Sequence, residues 1–362
     1  MTAYGISDTV LHMFPYFCIF TILSALVYPY QRADEKCKNI IRWLCANVFI
    51  VFFGLRGSLG DDYACYHQYY NNVDTYNLFF YAPGYGVLNL LCNYFNLPFQ
   101  CFLSFLSLIT NGLLAFFLWD KKINFPFAFL VFFCLGGIVN EVDFIRNIIS
   151  ILLFAYSITY IEKKEIKIFL LLNFIGLLFH YSALLYIPMY WLFQNSMSKT
   201  YYAGIMCLCF FFSFFQLPWL GFIPMCLDLI DLSYAEHIQK YFTLFEGQKL
   251  FFSFGTIERV LTGFAVFSYY DKLMSEKYGR IIVNSYLLYF IFYEVFSNYA
   301  VLATRLANLF VFCYWLLWPL IIGYQSTRKR QIIVASAMCF YMTCRIIGLS
   351  TLPQWKYYTF IN

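Results

Sequence analysis

Residues 101–119 read CFLSFLSLITNGLLAFFLW, an unbroken run without one charge, and Asp120, Lys121 and Lys122 follow at once. The length matches the roughly 17–25 residues an α-helix needs to cross a bilayer, where every backbone polar group must be satisfied within the segment. The charged triplet marks the return to water. The pattern recurs in Val10–Tyr30, Ile40–Leu55, Tyr201–Leu220, Arg305–Tyr324 and Ile332–Gly348, with polar connectors between the runs. Composition points the same way, since 62% of the 362 residues are hydrophobic, 23% aromatic and only 12% charged. A soluble domain of this length carries about twice that share of charge. The fold class expected is therefore all-α, a polytopic integral membrane protein.

Val10–Tyr30 is read as a retained helix rather than a signal peptide, because the residues before it include Asp8 and no Lys or Arg. Most of the thirteen cysteines fall inside apolar runs, where a thiol acts as a small hydrophobe, so no disulfide framework is expected. Four histidines and no Cys/His/Asp cluster at ligand spacing give no reason to expect a metal. There is no glycine-rich nucleotide loop of the Walker or Rossmann type, so no nucleotide cofactor and no nucleic-acid partner are expected.

Basic connectors belong on the cytoplasmic side. The segments Gln31–Arg42, Asp120–Asn124, Glu162–Lys167, Asn195–Thr200, Asp271–Arg280 and Gln325–Gln331 hold 16 of the 24 Lys+Arg but 7 of the 19 Asp+Glu. Placing them inside puts the loops 56–82, 140–147, 221–258 and 298–305 outside, together with the tail from Leu349. The count that keeps this orientation is about twelve transmembrane helices, with residues 1–362 as a single transmembrane domain and 221–258 as an external flap. Gly84–Phe99, interrupted by Asn89, Asn93 and Asn96, is read as a short re-entrant or interfacial helix. Ile168–Phe193 is read as a hairpin with His180 at its outer tip.

Three arginines, Arg56, Arg146 and Arg305, then stand on the side where basic residues are scarce. The first external loop reads Arg56-Gly-Ser-Leu-Gly-Asp-Asp-Tyr-Ala-Cys-Tyr66. A guanidinium presents a planar fork of donors that suits a phosphate and stays charged. Either Arg56 meets such an anion, or it is an interfacial anchor paired with Asp61 or Asp62. Arg146 follows Asn140-Glu-Val-Asp-Phe-Ile and opens the helical run 148–161, so the free N–H groups of a helix start would join it in holding an anion. A structural pair with Glu141 or Asp143 is its competing reading. Arg305 has only Glu294 as a nearby acid in sequence, which leaves a ligand or a distant carboxylate to complete it. His180 can accept a proton from a hydroxyl, donate a hydrogen bond to a phosphate, or simply pack. Tyr63 and Tyr66 stand out from the aromatic belt by their place beside Asp62.

The elements Arg56-x3-Gly60-x-Asp62-Tyr63-x2-Tyr66, Arg146-Asn147 at a helix start, Phe179-His180-x-Ser182-Ala183-Leu184 and Thr304-Arg305 before an apolar helix together resemble the EpsG family, which is similar to the Wzy polymerases of bacterial surface polysaccharide. The resemblance spans most of the chain. It implies a metal-independent glycosyltransferase related to the C superfamily, which joins oligosaccharide repeat units carried on undecaprenyl diphosphate at the periplasmic face of the inner membrane. O-antigen, capsule or exopolysaccharide would be the product, with a chain-length regulator and a flippase as partners. Asn147 and Ile149-Ser150 depart from the usual pattern after the arginine. On this reading Arg56, Arg146 and Arg305 hold the diphosphate, Tyr63, Tyr66 and Glu141 contact sugar, and either Asp62 or His180 takes the acceptor proton.

Two other classes compete with this one. A lipid-linked oligosaccharide flippase would spread charge through both membrane halves, whereas here the ionisable residues outside the cytoplasmic connectors collect near one face. A membrane acyltransferase modifying polysaccharide would carry an Arg/His motif in its first helices, and His12 has no arginine near it.

Overall fold

The computed structural model describes residues 3–79, 81–216 and 253–357, and among them every regular element is helical. Most of the expected flap at 221–258, the end of the run Tyr201–Leu220 and the last residues of the tail lie outside the described residues. Among the described residues five helices are long and apolar enough to cross a membrane: Leu11–Arg32, Glu35–Gly54, Phe99–Trp119, Phe125–Val142 and Arg328–Ser350. Counting Ala300–Asn308 with Phe312–Gly323 as one broken span adds a sixth. The helices Asn147–Glu162, Ile166–Phe179 and Lys199–Phe215 are apolar but shorter. Side chains such as Phe116 (69% exposed) and Phe340 (73% exposed) stand outward from these helices, an arrangement that suits acyl chains rather than water.

The chain divides into two compact units, residues 1–190 with 314–362, and residues 191–313. In the first, Asp34 caps the helix Glu35–Gly54 by accepting from Cys37 N at 2.8 Å. That helix packs closely on Phe99–Trp119, because Gly54 leaves room for the Ser104 backbone. Its end is tied by two donors to the Gly54 carbonyl, Gln100 Nε2 at 2.5 Å and Ser104 Oγ at 2.7 Å, and by Ser107 Oγ to Ile50 O at 3.1 Å. Small residues and interhelical hydrogen bonds hold helices together where lipid offers no hydrophobic drive.

Phe125–Phe132 is buried all round and forms the middle of this unit. It begins on the Asn124 cap and continues through a π-turn at Phe133–Gly137, where Gly136 takes φ 96°, to the short helix Ile138–Val142. The helix breaks in a turn at Asp143–Arg146 and resumes as Asn147–Glu162, which is fastened to Ile166–Phe179 by Ser150 Oγ donating to Gly176 O at 2.6 Å. Helical geometry stops at His180, whose backbone is extended, and resumes as a 3-10 helix at Tyr181–Tyr186. The run Gly84–Phe99 overlaps the 12-residue helix Pro83–Tyr94, and its last residue opens the helix Phe99–Trp119.

The second unit contains the helices Lys199–Phe215, Phe254–Ser268, Tyr270–Ser275, Gly279–Val295 and Ala300–Asn308. A buried ion pair joins two of them, with Arg259 Nε donating to Glu294 Oε1 at 2.9 Å. Thr256 Oγ1 accepts from Arg259 Nη2 at 3.0 Å, and the guanidinium lies 4.2 Å from the Tyr293 ring centre. Removing one partner would leave a buried charge uncompensated.

Candidate functional site

The site is built around the reversal at Asp143–Arg146. Gly60 lies beneath Asp143, with φ 95° and its N–H donated to Gln354 O at 2.9 Å. A Cβ there would overlap Asp143 Oδ1 and Val142 Cγ1, so both the backbone conformation and the space require glycine. Asp143 Oδ1 accepts from the Asp62 amide at 3.3 Å, and the Asp143 carbonyl accepts from Tyr66 Oη at 2.7 Å. The loop that follows Arg56 is thus pinned to the turn that carries Arg146.

Arg146 immediately precedes the helix Asn147–Glu162, as its sequence position suggested. Its Nη1 donates to Tyr81 O at 2.6 Å, its guanidinium carbon lies 4.3 Å from the Tyr81 ring centre and 5.9 Å from those of Tyr66 and Tyr85, and its buried Nε has no partner. Three phenol faces around one cation form an aromatic wall. Ala82, next to the accepting carbonyl, sits at φ 123°, a strained position for a residue with a side chain.

Arg56 is 3% exposed; its Nη1 donates to Phe53 O at 3.2 Å and its Nε has no partner. Glu141, also 3% exposed, accepts from Thr110 Oγ1 at 2.8 Å through Oε2, while Oε1 has no partner. The ion pairs formed among the described residues are Lys38–Glu35, Arg42–Glu35 and Arg259–Glu294, so neither Arg56 nor Arg146 is closed by a carboxylate. The pairings of Arg56 with Asp61 or Asp62, and of Arg146 with Glu141 or Asp143, do not form. Burial lowers the affinity of Arg56 for its proton, and the fields of Glu141, Tyr357 and Asp143 oppose that shift.

Asp143 titrates at about 7, because burial favours the neutral acid; the Asp62 amide N–H opposes the shift, while the carboxylates of Asp62 and Asp61 reinforce it. Burial likewise pushes the Tyr66 hydroxyl up to about 12, against the pull of Arg146. Tyr66 is 5% exposed, its hydroxyl is committed to Asp143 and its ring lies under Arg146, so it holds the arginine. Tyr63 leans on His67 and Phe99 instead.

His180 Nδ1 lies 2.6 Å from Ser182 Oγ and 3.2 Å from Ser182 N, and Ser182 Oγ donates to Asn147 Oδ1 at 3.1 Å. A hydrogen-bonded chain therefore joins the imidazole to the residue next to Arg146. Tyr181 Oη donates to Phe79 O at 3.2 Å, close in sequence to Tyr81. The first unit thus holds Arg56, Asp62, Tyr63, Tyr66, Glu141, Arg146 and His180, and contacts through Asp143, Tyr66, Asn147 and Ser182 link four of them, Asp62, Tyr66, Arg146 and His180. Arg305 belongs to the second unit, exposed on the helix Ala300–Asn308, and Glu294, its nearby acid in sequence, is engaged by Arg259.

Asp143, Tyr81, Tyr85, Asn147, Ser182 and the C-terminal Gln354 were not among the residues the sequence singled out for the site. The sequence offers Asp143 only as a partner for Arg146, and the contact between Gly60 and Gln354 joins distant parts of the chain, a separation no periodicity reports. Among the described residues no three His, Cys, Asp or Glu side chains gather as a metal site would require.

The EpsG family matches residues 39–360. No curated protein and no solved structure matches the chain. The match covers nearly the whole sequence, so the chain belongs to the EpsG family, a Wzy-like polymerase family, and is a polysaccharide-polymerase-like membrane protein.

Proposed function

Taking EpsG-family membership as the premise, we propose that this protein is a Wzy-type glycosyltransferase. It joins undecaprenyl-diphosphate-linked oligosaccharide repeat units at the periplasmic face of the bacterial inner membrane. The acceptor hydroxyl oxygen of an incoming unit attacks the anomeric carbon of the growing chain. The bond from that carbon to the diphosphate breaks, and its electron pair leaves with the lipid diphosphate. The hydroxyl proton passes to a side chain of the site.

The observation that carries this reading is that two guanidiniums, Arg56 and Arg146, gather in the first unit without a carboxylate closing either one. A buried cation with no carboxylate in direct contact is costly, and an anionic ligand offsets that cost. Negative charge grows on the leaving diphosphate during the reaction, so fixed forks of donors stabilise the transition state more than the ground state. Arg146 is the first choice for that work, Arg56 supports it, and Arg305 is assigned with them on its Thr304-Arg305 motif. Glu141 and Tyr63 are assigned to sugar. The fuller architecture proposed is a glycosyltransferase-C-like transmembrane domain of about twelve helices, served by a flippase and a chain-length regulator.

The test is reconstitution of the purified protein in liposomes with a lipid-diphosphate-linked repeat unit. A ladder of longer glycans with release of free lipid diphosphate is expected. Units that stay single in the presence of correctly inserted protein would overturn the proposal.

A further inference from the structure

We propose that the segment 354–357 keeps Arg56 available to the diphosphate, with the Tyr357 hydroxyl filling a helix-end carbonyl that otherwise captures the guanidinium. The inference rests on the polymerase reading above, and it adds Tyr357 as a positioning residue that acts through Arg56.

Arg56 stands two residues past the end of the helix Glu35–Gly54. A helix leaves its last carbonyls without partners of its own, and here side chains take three consecutive ones. Tyr357 Oη donates to Phe52 O at 2.6 Å, Arg56 Nη1 to Phe53 O at 3.2 Å, and Gln100 and Ser104 to Gly54 O. A guanidinium is drawn to such an end, which carries partial negative charge and open acceptors. Arg56 already gives it one donor, and its buried Nε still has no partner. With Phe52 O open as well, Nε would turn to it and the arginine would cap its own helix twice. Tyr357 prevents this by filling Phe52 O. Burial pushes its phenol up to about 12 against the field of Arg56, so it stays protonated and keeps donating at neutral pH.

The segment that carries this hydroxyl is itself held on several sides. The Tyr357 ring stacks on Phe52 with centres 4.6 Å apart, Tyr16 Oη donates to Trp355 O at 2.9 Å, and His12 Nδ1 lies 3.0 Å from Tyr357 O. Beyond Arg56, the Gly60 N–H donates to Gln354 O at 2.9 Å. Arg56 therefore sits on a stretch tied to the same segment before it, at Phe52, and after it, at Gly60.

The test has two arms on the full chain in lipid, both using Tyr357→Phe, which keeps the ring on Phe52 and loses the hydroxyl. In the first, 15N-arginine labelling reads the Arg56 Nε–H, identified by its loss in Arg56→Ala. Its proton should move downfield in Tyr357→Phe, as a newly bonded N–H does; an unchanged signal overturns the proposal. The second arm is a double-mutant cycle with Arg56→Ala, read as binding of undecaprenyl diphosphate and as chain growth. Beside Arg56, Tyr357→Phe should weaken both by roughly tenfold, and in Arg56→Ala by about twofold or less, because nothing is left for it to act through. Equal losses in the two backgrounds, as loose packing alone would give, or no loss beside Arg56, contradict the positioning role. Should Tyr357→Phe fail to insert, Tyr16→Phe, which frees the Trp355 carbonyl and loosens the same segment, takes its place with the same expectations. Wild-type protein that binds the lipid diphosphate but makes no ladder defeats the polymerase reading and leaves the cycle readable; wild-type protein that binds none defeats the positioning role.

Discussion

Gly60 and Asp143 carry opposite constraints on one contact. At Gly60 a methyl group meets both a φ of 95° and the Asp143 carboxylate. Gly60→Ala should therefore cost on the order of 3 kcal/mol, from left-handed backbone strain together with overpacking. A thermal melt in detergent checks it; an unchanged midpoint with unchanged ladders would count against the clamp. At Asp143 the folded chain holds a proton up to about pH 7, while the ordinary carboxyl loses it near 3.8. Between those values the folded state binds more protons than the unfolded one, so stability falls as pH rises. The contribution of Asp143 is fully present below 3.8 and is lost as pH passes through 7. Wild-type protein should melt at a lower temperature at about pH 8 than at about pH 5, and Asp143→Asn, which mimics the protonated acid, should flatten that slope. An equal slope in both would assign it to other groups. Arg56, Arg146 and His180 were legible in the sequence because charge stands out against apolar runs. Asp143 was legible as a residue but not as a contact, since its partners lie eighty residues away at Gly60 and Asp62.

Among the helices, Phe99–Trp119 declared itself by length and lack of charge, and Asp34, Pro98 and Asn124 mark element starts by ordinary capping and turn chemistry. What the sequence concealed is where an apolar run breaks. The π-turn at Phe133–Gly137 lies inside an apolar run that only Gly136 and Gly137 punctuate, and His180 ends one helix without a proline or glycine of its own. Hydropathy averages over such sites, and tertiary packing decides them. The close seam between Glu35–Gly54 and Phe99–Trp119 was equally hidden, because Gly54 and Ser104 read as minor interruptions of two apolar runs. A larger residue at Gly54 must push against the Ser104 backbone at 3.4 Å. Gly54→Val should destabilise the protein by about 1–3 kcal/mol through overpacking and weaken the anchor next to Arg56. Retained stability and full chain growth would show that the seam tolerates separation.

For the molecule as a whole, the six basic connectors give an expected orientation, and the family match bears out the resemblance carried by four short motifs. Seven of the eight residues singled out for the site fall in one compact unit, and Arg305 falls in the other. Its role is therefore best tested by chemistry. Arg305→Lys keeps the charge and loses the planar fork, so chain growth should stay impaired if two parallel hydrogen bonds to phosphate are needed, and full growth would assign Arg305 to simple charge. The central claim is that Arg146, held among Tyr66, Tyr81 and Tyr85, takes the leaving diphosphate. Its most direct test is the chain length made by Arg146→Ala in liposomes supplied with a lipid-diphosphate-linked repeat unit. The account predicts single, unextended units from protein inserted at the wild-type level; a wild-type ladder from the same variant would contradict it.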